Sequence, residues 1–276
     1  MKRSVLLVIL GVLFLLIAFF CVFMGLRGIY APRVVETELY AAITPSPSAP
    51  PTPIPTAESP VETKEPTPEP AETSVPTPSP TPYISPIDFD ALRELNPDIY
   101  GWLTIEDTNI DYPIVQSVSS NTYYLTHNSD LVYSANGAIF SEPSYNSGDF
   151  SDPVTILYGH HMSSGAMFGK LQQYFTNNTY FSEHPVIYVY TQDALLEYGV
   201  FAAVPYSSTH ILRAYNFEDE ADFTSFINSV MSTRDLNAHF REEYEPETGD
   251  RVLVLSTCLA GNNSRRFLVL ATLLDE

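Results

Sequence analysis

The chain has 276 residues, a net charge of −20, 23 prolines and two cysteines. So few cysteines exclude a disulfide scaffold, and the acidic balance argues against nucleic acid, whose phosphates need clustered Lys and Arg. The first 26 residues are almost wholly apolar and 15 of the prolines fall between Pro45 and Pro86; the remainder, roughly 190 residues from Ile87 to Glu276, is enough for one well-packed core.

Ser4 to Leu26 is an uncharged run of 23 residues, dense in Leu, Val, Ile and Phe. About 20 apolar residues span a bilayer's hydrocarbon core. A cleaved signal peptide would carry a shorter apolar region, about 7–15 residues, and a small-residue cleavage site. Phe19, Phe20, Cys21, Val22, Phe23 and Met24 leave no such site. The run therefore predicts an uncleaved transmembrane anchor over 4–26 behind a cytoplasmic tip, 1–3, with Cys21 as a packing thiol inside the span. Lys2 and Arg3 before it balance Arg27 and Arg33 after it. The acidic stalk and large domain that follow place the N-terminus inside and the domain outside. Residues 27–85 read as that stalk: a Pro/Thr/Ser-rich segment cannot bury a core. In a polyproline-II conformation at about 3.1 Å per residue, its proline-rich part reaches roughly 130 Å, which lifts a domain, 86–276, away from the membrane.

Ser85 and Pro86 predict the start of a helix, with Ser85 as cap, Pro86 in the first position and Asp88 at capping-box spacing. Phe89, Leu92 and Leu95 share one face, and Asn96-Pro97 ends the helix. Short segments rich in Val, Ile, Tyr and Thr then predict strands at 102–105, 112–116, 137–140, 154–159, 186–190, 196–205, 252–257 and 266–273. Eight strands suggest a closed barrel or a sandwich, a mainly β fold with added helices. Phe223, Phe226, Ile227 and Val230 repeat at helical spacing, so a helix-bearing insertion separates strand 196–205 from strand 252–257.

Cys258 is the single cysteine of the folded part and follows the apolar strand Val252 to Thr257. Leu259 to Ser264 reads as a loop, so the thiol sits at a strand end, where substrate reaches it and the sheet fixes its orientation. A thiol needs a base or an electropositive neighbour to act as a thiolate. Among the six histidines, Tyr158-Gly159-His160-His161 again follows an apolar strand, Val154 to Leu157. For His127, His184, His210 and His239 a solvated ring is expected. Adjacent histidines do not face one ligand sphere, so no zinc site, no other metal and no cofactor is expected. The run Glu218-Asp219-Glu220-Asp222 reads as a solvated helix start. Arg265 and Arg266 open the last strand, and a hairpin from strand 252–257 brings one of them beside Cys258. Such an arginine holds an oxyanion or positions a substrate carbonyl.

Together these segments resemble the sortases, and within them class B. The resemblance covers 86–276 and rests on Asn96-Pro97-Asp98-Ile99-Tyr100-Gly101-Trp102, Asp111-Tyr112-Pro113-Ile114-Val115-Gln116, Tyr123-Tyr124-Leu125, Gly137-Ala138-Ile139-Phe140, Tyr158-Gly159-His160, Met167-Phe168-Gly169, Leu255-Ser256-Thr257-Cys258 and Arg266-Phe267-Leu268-Val269. Their order and spacing are specific together, and the helical insertion resembles class B. The resemblance implies a closed eight-stranded barrel with an N-terminal helix and the insertion before the seventh strand. It implies His160 rather than His161 as the catalytic histidine, Cys258 as nucleophile and Arg266 as the third catalytic group. It places Thr257, with Ser256 and His161, at the substrate-binding wall.

The implied activity is transpeptidation. Cys258 attacks a backbone carbonyl in a C-terminal sorting motif of a secreted protein and forms a thioester. An amine from a cell-wall precursor or a pilin lysine then displaces it. A thiol hydrolase using water with the same residues, and a stalked surface-binding domain without catalysis, are the competing readings.

Overall fold

A computed structural model of the chain describes residues 83–274. The expected tip and anchor, and the stalk up to residue 82, lie outside the described residues. Helix α1 spans Phe89–Leu95, later than the expected start. Its cap is Asp88, whose carboxylate accepts from the Ala91 amide at 3.0 Å. Ser85 instead accepts from the Ile87 amide at 3.3 Å, in a turn of its own one step upstream. An aspartate nearer the apolar face outcompetes the serine because it reaches the orphan amides of the first turn. Asn96 stops the helix in extended conformation, as a residue before proline must. Its buried side chain donates to the Tyr124 hydroxyl at 2.9 Å and the Ser129 carbonyl at 2.8 Å, tying the helix end to the following loops.

The strands are β1 (Ile99–Ile105), β2 (Ile110–Val115), β3 (Ile139–Phe140), β4 (Val154–Tyr158), β5 (Val186–Tyr190), β6 (Leu195–Tyr206), β7 (His239–Phe240), β8 (Val252–Leu259) and β9 (Asn262–Leu273). The order β5-β1-β2-β3-β4-β8-β9-β6 closes through β6 onto β5, giving the expected eight-stranded barrel. The short β7, which the sequence pattern does not announce, pairs with Ala202 and Ala203 of β6 outside that circuit. Two of the pairings are parallel, β2 with β3 and β4 with β8.

Alternation sorts each strand between two cores. One cluster draws on all eight barrel strands, including Leu103, Ile114, Ile139, Leu157, Val189, Val200, Leu255 and Val269, and fills the interior. The second joins Val154, Ile156, Val252, Val254, Leu268 and Leu270 on the outer face to the insertion. That insertion carries α4 (Ile211–Ala214) and α5 (Glu220–Met231), and the expected stripe Phe223, Phe226, Ile227 and Val230 is the buried face of α5. Asp219, from the acidic run, caps α5 by accepting from the Ala221 and Asp222 amides.

Two helices that periodicity does not reveal are α2 (Gln173–Thr176), which continues a 3-10 turn over Phe168–Gln172, and α3 (Asn178–Glu183), capped by Asn177. Each is too short to repeat its pattern. Their aromatics, Phe168, Tyr174, Tyr180 and Phe181, join the interior core.

Phe226 is fully buried against the outer sheet face. Phe226→Ala should cost about 3–5 kcal/mol in urea unfolding, as large aromatic truncations in a core do.

Candidate active site

Strand β8 is the middle of the site, with β4 on one side and β9 on the other. It runs further than the sequence pattern implies. Cys258 lies within the ladder, directly opposite Arg266, and the expected six-residue loop shrinks to a tight turn at Ala260–Gly261. Gly261 has φ +75°, a conformation glycine adopts at little cost. The rest of the expected loop, Asn262 to Ser264, extends β9 backwards and delivers Arg266 to the thiol.

Facing residues on neighbouring strands project to the same side. Arg266 Nη1 lies 3.7 Å from Cys258 Sγ and also donates to the Asn263 and Arg265 carbonyls at 3.2 and 3.4 Å. These bonds aim the guanidinium at the sulfur, while Arg265 points away and is exposed. The two arginines that the sequence leaves side by side are thus separated by strand parity.

From the other side, β4 pairs with β8 in parallel, Tyr158 facing Ser256, and the Gly159 amide donates to the Ser256 carbonyl at 3.2 Å. Strand β4 ends at Tyr158, and Gly159 leads the chain out of the ladder to His160, two residues beyond the Tyr158–Ser256 pair. His160 Nε2 lies 2.8 Å from the Leu125 carbonyl oxygen. A carbonyl only accepts, so Nε2 carries the proton, and in the neutral ring Nδ1 is the basic nitrogen. The thiol thus stands on the central strand beside the Arg266 guanidinium, and the strand on its other side, β4, leads into His160.

Thr257 is buried, 3% exposed, opposite Phe267 and on the interior parity. Its hydroxyl has no partner, and its side chain is turned away from the face that holds Cys258. Ser256 shares the parity of Cys258 but is 5% exposed, and its carbonyl is engaged by Gly159. His161 forms an isolated bridge with Met167, which closes the loop that follows His160.

The sequence pattern did not single out Glu142, a carboxylate buried to 7% exposure. It accepts from the Tyr158 hydroxyl at 3.2 Å and pairs with His210 Nε2 at 2.9 Å. Burial first, then the Glu142 charge, holds the Tyr158 phenol far above its ordinary pKa, with Arg266 pulling the other way. A lone glutamate between a strand and a proline carries no pattern, so only the closed fold reveals it. The four histidines expected to be solvated all have partners: His210 with Glu142, His184 with Asp107 at 2.7 Å, His239 with the Phe175 carbonyl at 3.2 Å, and His127 stacked on Tyr123. Among the described residues no group of three or more His, Cys, Asp or Glu is placed to hold a metal.

The family of sortase domains matches residues 103–274. The chain belongs to the sortase family. Sortases are cysteine transpeptidases, and the curated and structural relatives of this sortase are of class B. Sortase B of Listeria monocytogenes is 34% identical over 167 residues, which are 60% of this chain and 65% of that protein. The structure of Clostridium perfringens sortase B is 26% identical with a TM-score of 0.60 over 68% of this chain and all of that one. A Staphylococcus aureus sortase B, solved as a substrate complex, is 26% identical with a TM-score of 0.59 over 68% and 84% of the two chains.

Gly159 carries the chain from β4 to His160. A Cβ there would lie 2.6 Å from Ile139 Cδ1 and 2.7 Å from Phe168 Cδ2, both buried. Gly159→Ala should therefore destabilise by about 1–3 kcal/mol through overpacking. A urea denaturation series that finds wild-type stability would show that the turn relaxes freely.

Proposed function

We propose that this sortase cleaves a sorting motif near the C-terminus of secreted proteins and transfers the acyl part to an amine. The observation that carries the reading is Arg266 Nη1 at 3.7 Å from Cys258 Sγ, on a strand whose other neighbour, β4, leads into His160. The likeness to a relative solved with its substrate supports it.

In the first half-reaction the Cys258 thiolate adds to the scissile carbonyl, and Arg266 stabilises the oxyanion. Collapse forms the thioester and breaks the peptide bond, and protonated His160 gives its proton to the leaving amine. In the second, His160 takes a proton from the incoming amine as it attacks the thioester, and the thiolate is released. The acceptor is an amino group of a cell-wall precursor or of a pilin lysine. Water in its place would give hydrolysis, so the products separate the two.

The same reading covers the segments outside the described residues. Residues 4–26 anchor the chain with its N-terminus inside, 27–85 form the extracellular stalk, and 86–276 are the catalytic domain. The uncharged run of 23 residues supports this. Among the described residues no helix is long and apolar enough to cross a membrane.

The test is turnover of a sorting-motif peptide library with an amine acceptor, read by mass. Cys258→Ala should abolish amide exchange. His160→Ala should lose about 10²–10⁴-fold, Arg266→Ala about 10²–10³-fold, and Arg265→Ala less than about twofold, as an exposed side chain off the reacting face. Amine-linked product from Cys258→Ala would overturn the nucleophile, and hydrolysis alone at saturating amine would replace transfer by the hydrolase reading.

A further inference from the structure

The edge of β8 that faces β4 is completed by a side chain. Alternate residues of a strand present their backbone groups to the same edge. On this edge the Ser256 carbonyl is taken by the Gly159 amide, the last rung that β4 supplies. The chain then turns away at His160, so the Cys258 carbonyl and the Ala260 amide, further along this edge, have no β4 partner.

Gln172 fills that rung. It is buried, 8% exposed, at the end of the 3-10 turn Phe168–Gln172. Its Nε2 donates to the Cys258 carbonyl at 3.4 Å, and its Oε1 accepts from the Ala260 amide at 3.5 Å. A carboxamide offers the same donor and acceptor as a peptide group, so the side chain continues the ladder where backbone has run out. Only this orientation works; a flipped amide would set donor against donor and acceptor against acceptor. The same short segment begins by donating the Phe168 amide to the His160 carbonyl at 3.0 Å. One rigid turn therefore grips the base at its start and the nucleophile at its end.

We propose that Gln172 is a positioning residue that holds the Cys258 backbone so that its thiol stays against Arg266. The proposal rests on the transpeptidase reading for its kinetic consequence, but not for its structural one. Without Gln172, Cys258 is held from the β9 side alone, next to a turn whose residues Ala260 and Gly261 are exposed.

The experiment uses the full-length chain with Cys21→Ser, which leaves Cys258 as the sole thiol. Gln172→Met keeps the size and removes both hydrogen bonds. Gln172→Glu keeps an acceptor but no longer donates to the Cys258 carbonyl. Alkylation of the native protein by iodoacetamide, which reads how the thiol is presented beside Arg266, should slow about tenfold in both variants. In urea, where the fold that presents the thiol is lost, the rates should match the parent. In transfer assays kcat should fall about tenfold with KM unchanged, and the melting temperature should drop by less than about 5 °C. Gln173→Met, one residue on and outside the site, should behave as the parent. Parental alkylation rates in Gln172→Met, or losses that track unfolding, would overturn the proposal. Alkylation needs no peptide, so it decides the positioning role even for a chain that transfers nothing, an outcome that would overturn the transpeptidase reading instead.

Discussion

The site depends on the three-strand junction β4-β8-β9, in which β8 is paired in parallel on one side and antiparallel on the other. An antiparallel partner returns after a two-residue turn, so Arg266 is local to Cys258 in sequence. A parallel partner has to come from a remote segment, so His160 arrives from far along the chain. Backbone register then does the work of alignment: Cys258 faces Arg266 across one ladder, and Tyr158 faces Ser256 across the other. The buried rows on both faces of these strands hold that register, because a slip of one residue would exchange the interior and outer cores.

The outer core has a second effect. It is roofed by the insertion, whose helix α5 covers the same sheet face that carries Cys258, Arg266 and Tyr158. The buried Glu142 links Tyr158 of β4 to His210 at the entry of α4. A buried carboxylate left without partners would cost several kcal/mol, so these two contacts bind the insertion to the strand that delivers His160. The geometry of the site and the placement of its roof are therefore coupled through one charge.

Much of this was legible in the chain itself. β4, β8 and β9 are dense in Val, Ile and Leu and sit between turn residues, and α5 repeats its apolar residues at helical spacing. Cys258, His160 and Arg266 were visible as reactive types at the ends of such runs. What escaped was set by closure of the fold rather than by pattern. Helices α2 and α3 are too short to show a period. The loop after Cys258 contracts because Gly261 allows a tight turn, which polar Asn262, Asn263 and Ser264 disguise. Glu142 and Gln172 are single polar residues, and only burial distinguishes them from surface ones. Ser85 lost the helix cap to Asp88 because two capping side chains lay within reach of one start.

The early end of β4 explains why a glutamine stands where backbone would serve. If β4 continued past Gly159 as a strand, its own amides would satisfy the β8 edge. The residue at 160 would then be fixed in the sheet, and its ring could not turn to the Leu125 carbonyl, the contact that sets its tautomer. Ending the strand frees the histidine but leaves the Cys258 carbonyl and the Ala260 amide without a β4 partner. These groups are only part-buried, so what matters more is that Cys258 would be held on one side alone. A carboxamide from the following turn resolves both demands, since it restores the rung while leaving His160 outside the ladder.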